Sequence, residues 1–188
     1  MRRTILAVIA AFGLAAMVTA AGAQDKPAAP PAKRPTFETT KVEGTDGVYV
    51  FRYLSRQAMF IVTSAGVIAT DPIAYGFPDT VPTYISEIRK VTDKPIKYLI
   101  YSHHHYDHIS GGQPFKDAGA KIIAHKKVTE RLAMLKDPST PLPDETFDKA
   151  KTVKLGGTTL ELTYHGLNHS DSTIVMRLPK EKIVFTVD

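Results

Sequence analysis

The 188-residue chain is 43% hydrophobic and 23% charged, values of an ordinary globular domain with one core, which exclude a fibrous or disordered chain. Its formal charge of +5 comes from scattered lysines and arginines, and removing Arg2 and Arg3 with a leader lowers it to 22 − 19 = +3, so no basic patch points to nucleic acid. Cysteine is absent, which excludes disulfides, thiolate zinc sites and cysteine nucleophiles and leaves histidine and carboxylate as the strong metal ligands.

Met1-Arg2-Arg3 gives a positive start, Ile5 to Val18 is a nearly unbroken apolar run, and Ala21-Gly22-Ala23 has a small-x-small pattern. That order is a secretory signal peptide over residues 1–23, too short in its apolar run for a membrane span of about 20 residues. Export to a periplasm or the cell exterior follows as an expectation, with no stable membrane association once the leader is cleaved. Residues 24–35 are rich in Pro, Ala and Lys and read as an extended tether. The folded domain is expected over residues 36–188.

Along that domain, a strand is expected over 47–54, then short apolar runs at 58–63 and 66–70 separated by a Ser-Ala-Gly turn, an antiparallel meander. Asp79 stands as N-cap of a helix over 80–91, whose Val81, Tyr84, Ile85 and Ile88 share one face. A buried strand over 96–101 leads into the histidine segment, and Gly119 stops a helix ending near Lys116. A strand at 121–125 precedes a helix through Met134, residues 137–145 form a Pro-rich loop, and strands follow at 152–155, 158–164, 173–178 and 183–187. Strands, then β-α-β alternation, then strands again give an α/β sandwich with helices on the outer face of the sheet.

Residues 101–112 read Tyr-Ser-His-His-His-Tyr-Asp-His-Ile-Ser-Gly-Gly. His103, His105, Asp107 and His108 fit H-x-H-x-D-H. In extended backbone, residues two apart point the same way, so a chain leaving the 96–101 strand aims His103, His105 and Asp107 into one pocket. Gly111-Gly112 permits a tight entry into the next helix. Imidazole nitrogen and carboxylate oxygen are ligands that Zn²⁺ accepts at about 2.0–2.2 Å. A histidine tract alone would read as a solvated metal-scavenging run; the apolar strand before it, the Asp-His pair and the Gly-Gly after it argue against that.

This segment resembles the signature of the metallo-β-lactamase superfamily. Gly166-Leu167-Asn168-His169-Ser170 is similar to the family's Gly-x-x-His-Ser/Thr loop, Ile183 to Asp188 to the strand whose terminal Asp bridges two metals, and Asp71 to an acid that supports the site from behind. The likeness runs from about Val42 to Asp188. It implies the αβ/βα sandwich of that family, here its first half and the start of the second. It implies a first zinc on His103, His105 and His169, and a second on Asp107, His108 and Asp188, with iron or manganese as other occupants. Taken singly, His169 reads equally as a loop histidine and Asp188 as an ordinary strand-end acid.

The implied chemistry is hydrolysis of an ester, lactone, thioester or β-lactam in a small-molecule substrate. A metal-bound hydroxide would attack, formed because the cation brings the pKa of water from 15.7 to about 7, and Asp107 would orient it as the catalytic carboxylate. Asp188 stands where some β-lactamases of the family place a cysteine ligand, so that type is excluded. Iron-dependent persulfide oxidation stays open. One departure stands out: the family adds a further histidine to the second metal from a later segment, and this sequence stops at Asp188. A fragment with a poorly covered inner sheet face and a non-catalytic periplasmic metal-binding protein are the alternatives.

Overall fold

A computed structural model describes residues 35–188; the expected signal peptide, and the tether up to residue 34, lie outside the described residues. Among the described residues no helix is long and apolar enough to cross a membrane.

The first sheet has seven strands in the order β1 to β7. β1 (Phe37–Lys41), β2 (Val48–Tyr53), β3 (Arg56–Thr63) and β4 (Gly66–Thr70) form the antiparallel meander. β5 (Ile96–Ile100), β6 (Lys121–His125) and β7 (Glu145–Phe147) then add in parallel. A parallel neighbour requires a crossover, and each one carries helix: α1 (Thr80–Val91) before β5, α2 (Tyr106–Ile109) and α3 (Gln113–Asp117) before β6, and α4 (Lys126–Leu135) before β7. The second sheet, in the order β11-β10-β9-β8, is antiparallel and comprises β8 (Ala150–Leu155), β9 (Thr158–Tyr164), β10 (Ile174–Leu178) and β11 (Ile183–Phe185).

The period-two alternation of the strands divides the first sheet into two apolar faces. Phe51, Phe60, Ala69 and Leu99 face the helices, where Tyr84, Ile88, Phe115 and Val128 meet them. Tyr84 is fully buried in this packing: its ring stacks on Phe51 at 4.5 Å and its hydroxyl donates to the Met59 carbonyl at 2.9 Å. Burial pushes that hydroxyl far above the ordinary tyrosine range, so it stays a donor at any working pH. The opposite face presents Met59, Ile61, Ile68, Ile100 and Ile123 to Leu160, Leu162, Ile174, Met176 and Phe185 of the second sheet. The inner sheet face is therefore covered, against the expectation of poor coverage. The second sheet's other face carries Thr159, Glu161, Thr163, the exposed Arg177 and, from β8, Thr152 and Lys154, with Ala150, Val175 and Val184 as its apolar residues.

Several local expectations are corrected. β1 and β7 add to the expected strands: Phe37-Glu38-Thr39-Thr40-Lys41 is mostly exposed and β7 has three residues, and both exist as edge pairings rather than by their own apolar pattern. Asp79 does precede α1, but it has helical backbone angles and its side chain makes no cap bond. The turn instead closes through Thr80 N–H donating to Phe77 O at 3.0 Å.

Gly111 and Gly112 do enter α3 tightly. Gly111 has φ +86, and a Cβ on Gly112 would lie 2.2 Å from the Tyr101 hydroxyl oxygen. Gly112→Ala is therefore expected to destabilise by about 1–3 kcal/mol through overpacking, read as a lower urea midpoint at unchanged m-value.

A second expected outcome concerns acid. Asp171 is held below the ordinary carboxylate range by Arg131, whose Nη2 lies 2.6 Å from its Oδ2. For Asp144, burial works upward, but the Ile122 N–H and Lys116 outweigh it and lower the pKa. A depressed folded pKa gives stability that is present above the unfolded value of about 4 and is lost as pH falls through the folded one. The metal-free chain should thus lose urea resistance from these two groups as pH falls below about 4, and Asp144→Asn should flatten that slope.

Candidate metal centre

The site lies where the C-terminal end of β5 meets the loop before β10 and the segment after β11. The strand ends at Ile100, residues 103–104 bend, and α2 begins at Tyr106. Alternation along an extended chain therefore does not carry Asp107 into the pocket: Asp107 stands in the first turn of a short helix. The bend still brings the rings of His103 and His105 to 4.6 Å between centroids, and α2 returns His108 to 4.7 Å from His103. The His169 ring arrives from the loop before β10, 5.1 Å from His103 and 4.8 Å from His105.

The two sheets are stitched together at this point. Ile174 N–H donates to Ser102 O at 3.0 Å, and the Ser172 hydroxyl accepts from His104 N–H at 3.1 Å while meeting His104 Nδ1 at 2.9 Å. Ser170 bonds Thr173 through their hydroxyls at 2.7 Å. Ser170 holds the Ser/Thr position of the Gly-x-x-His-Ser/Thr motif, whereas Ser172 and Thr173 had no signal in the sequence beyond their nearness to His169. They fix the loop that carries it.

The donor atoms converge in two overlapping sets, His103 with His105 and His169, and His103 with His108 and Asp188. His169 Nε2 is 3.0 Å from His105 Nδ1. Asp188 Oδ2 is 2.7 Å from His108 Nε2 and 3.8 Å from both His103 Nε2 and His169 Nε2. Ligands held tetrahedrally at about 2.0–2.1 Å from zinc are about 3.3 Å apart, so these separations have the scale of a metal's coordination edge. Asp107 stands outside both sets; its carboxylate is roughly half exposed, with Oδ2 3.7 Å from His108 Nε2.

Burial sharpens the case. His103 is fully buried, and its Nε2 has no hydrogen-bond partner among the described residues. An orphaned buried nitrogen is costly and needs an explanation; here it lies 3.8 Å from Asp188 Oδ2, in a residue grouped with the donors of His105, His108, His169 and Asp188. Its Nδ1 is occupied by the Ser102 hydroxyl at 2.9 Å. A proton on Nδ1, donated to that hydroxyl, leaves the Nε2 lone pair for a cation. Burial pushes the His103 pKa down to about 4, and the neighbouring histidines add to this against Asp71, so the ring is neutral at pH 7.

Asp71 sits behind the cluster, fully buried, with φ +25. Its Oδ1 accepts the Ser102 N–H at 2.8 Å, and its Oδ2, without a hydrogen-bond partner, faces His108 Nδ1 at 3.6 Å. Burial lowers the His108 pKa, but Asp71, Asp188 and Asp107 together overcome it and raise the value. The residues present thus fit a cation: imidazoles on one side, carboxylates on the other, and orphaned atoms between them. No thiolate competes.

The remaining histidines serve elsewhere. His125 stacks on Tyr164 at 4.1 Å and its Nε2 meets Asp148 O at 2.8 Å, a structural role at the start of α4. His165 is exposed.

The chain is similar to known proteins over most of this region. It is 32% identical over 127 residues to a metallo-β-lactamase type 2 of Elizabethkingia meningoseptica, covering 68% of this chain and 49% of the relative. It is 27% identical over 161 residues to the 2,4-dinitroanisole O-demethylase subunit alpha of Nocardioides sp. (strain JS1661), covering 82% and 46%. The chain therefore spans about half the length of these curated relatives. The structure of a metallo-β-lactamase from Pontibacter korlensis shares the fold with a TM-score of 0.67 at 22% identity, over 80% of this chain and 70% of that one. The sequence model of the metallo-β-lactamase superfamily matches residues 76–188, from the loop before α1 through all six histidine and carboxylate positions of the site, and the chain belongs to that superfamily.

Proposed function

We propose that the chain is the metal-binding part of an exported, zinc-dependent hydrolase that cleaves an ester, lactone, thioester or β-lactam bond in a small molecule. The observation that carries this reading is the orphaned, buried Nε2 of His103 facing the donor atoms of His105, His169 and Asp188. Relatives named metallo-β-lactamase favour a β-lactam within the substrate class. The export reading rests on the leader at residues 1–23, and places the protein in a periplasm or outside the cell.

His103, His105 and His169 would hold one zinc, and His108 and Asp188, joined by Asp107, a second. Bound there, zinc would polarise the bond under attack and bring the attacking water into its reactive form near neutral pH. The chain's own residues do the rest. Ser102 and Asp71 hold the His103 and His108 rings in orientation through one backbone and two side-chain contacts. Asp107, half exposed at the rim, would accept and orient the proton of the attacking water as general base. The loop hydroxyls of Ser170 and Ser172 keep His169 in register.

The test is a zinc analysis of the purified chain after dialysis, joined to a hydrolysis screen of esters, lactones, thioesters and β-lactams. An aryl methyl ether is included because one relative is named an O-demethylase. Two equivalents of zinc with turnover of one class is the expected result. Retained zinc without turnover would favour a metal-binding protein; no zinc retained would overturn both.

A further inference from the structure

Beside the metal donors lies a polar cleft of about 320 Å³, walled by Ser55, Arg56, Gln57, Asp107, His108 and Asp188. Arg56 begins β3, directly after the β2–β3 turn, and is half-buried. Its guanidinium lies over the Phe77 ring at 5.0 Å from the centroid, within the range of a cation–π contact. Nη1 donates to the Tyr75 carbonyl. Among the described residues no carboxylate lies within 4 Å of it, and its Nη2 and Nε meet no acceptor. Every other arginine of the folded part except Arg89 has a carboxylate partner, and Arg89 spends its donors on the Asp93 and Lys94 carbonyls.

A guanidinium oriented by a ring and a carbonyl has already lost most of its rotamer freedom, so binding an oxyanion costs it little further entropy. Its unused N–H groups match a carboxylate, which accepts two parallel bonds from such a fork. The same cleft is lined by this cation and by the metal donors His108 and Asp188. We infer that Arg56 is the anchor for a carboxylate on the substrate, setting a preference for acids over neutral analogues. The inference rests on the metal reading above and specifies the substrate class of that site.

The preference is measured by binding rather than by turnover. The zinc-loaded chain is titrated calorimetrically with 3-mercaptopropanoate and with the corresponding neutral primary amide, whose thiolates are both good zinc ligands. The acid is expected to bind about tenfold more tightly or better. In Arg56→Gln that ratio should collapse towards one while the amide binds as before, which also reports an intact cleft. A second readout needs no variant: the acid, and not the amide, should protect Arg56 of the native chain from an arginine-directed dicarbonyl reagent, read by peptide mass. An unchanged ratio in Arg56→Gln, equal loss of both probes, or equal protection by both would overturn the assignment and make Arg56 a latch for the Tyr75 loop. Failure of both probes to bind the native chain would instead overturn the metal reading, and the anchor with it.

Discussion

His103→Ala is expected to abolish metal retention at the first site and to lower any hydrolytic rate by more than a hundredfold. Deleting a partner that only orients a ligand typically costs 10–100-fold in metal affinity or activity, and His103 is itself the shared member of both donor sets. Its side chain is fully buried, so the truncation also leaves the Ser102 hydroxyl without its 2.9 Å partner. Loss of metal and loss of fold are separated by measuring the urea midpoint of the metal-free protein alongside zinc content. A variant that folds, has lost zinc and does not turn over is the outcome the geometry requires. A variant that keeps both zinc equivalents would remove His103 from the centre.

Asp71→Ala is expected to have the next largest effect, although Asp71 touches no other candidate ligand closer than 3.6 Å. Its carboxylate fixes the Ser102 N–H, and with it the strand end from which His103 bends away. It also faces His108 Nδ1 and raises the His108 pKa. Removing it should weaken zinc binding by about 10–100-fold with little change in which bonds are cleaved. Asp71→Asn should lie between the two, because its carbonyl still accepts the Ser102 N–H but carries no charge. Competition with a chelator of known affinity measures all three proteins on one scale. Equal zinc affinity in native and Asp71→Ala chains would show that the buried carboxylate serves the fold alone.

The contrast between these residues explains how much of the molecule was legible in its sequence. Strands β2 to β6, helix α1 and the second sheet follow from apolar periodicity, because each buries a whole face and writes it as alternation or as a helical stripe. β1 and β7 do not, since an edge strand is held by its neighbour's hydrogen bonds and needs no apolar pattern of its own. The histidine segment is legible because four residues of metal-binding type, His103, His105, Asp107 and His108, fall within six positions. The route by which they converge is not: extended alternation was expected, and a bend followed by a four-residue helix is what the chain adopts.

The same limit applies to what supports the site. Ser102 and Ser172 sit 70 residues apart in sequence and next to opposite ends of one hydrogen-bond network. Nothing local distinguishes them from other serines, because their role depends on two sheets meeting. Arg56 is another such case. It reads as one cation among 24 basic residues until the fold sets it over Phe77, in a cleft shared with His108 and Asp188 and without a carboxylate within 4 Å.

Anomalous diffraction at the zinc edge from crystals of the zinc-loaded chain tests the centre directly. The expected map has one peak about 2.0–2.1 Å from His103 Nε2, His105 Nδ1 and His169 Nε2, and a second beside His108 Nε2 and the carboxylates of Asp107 and Asp188. Zinc bound only at His125 or His165, or no ordered peak at the cluster, would contradict it.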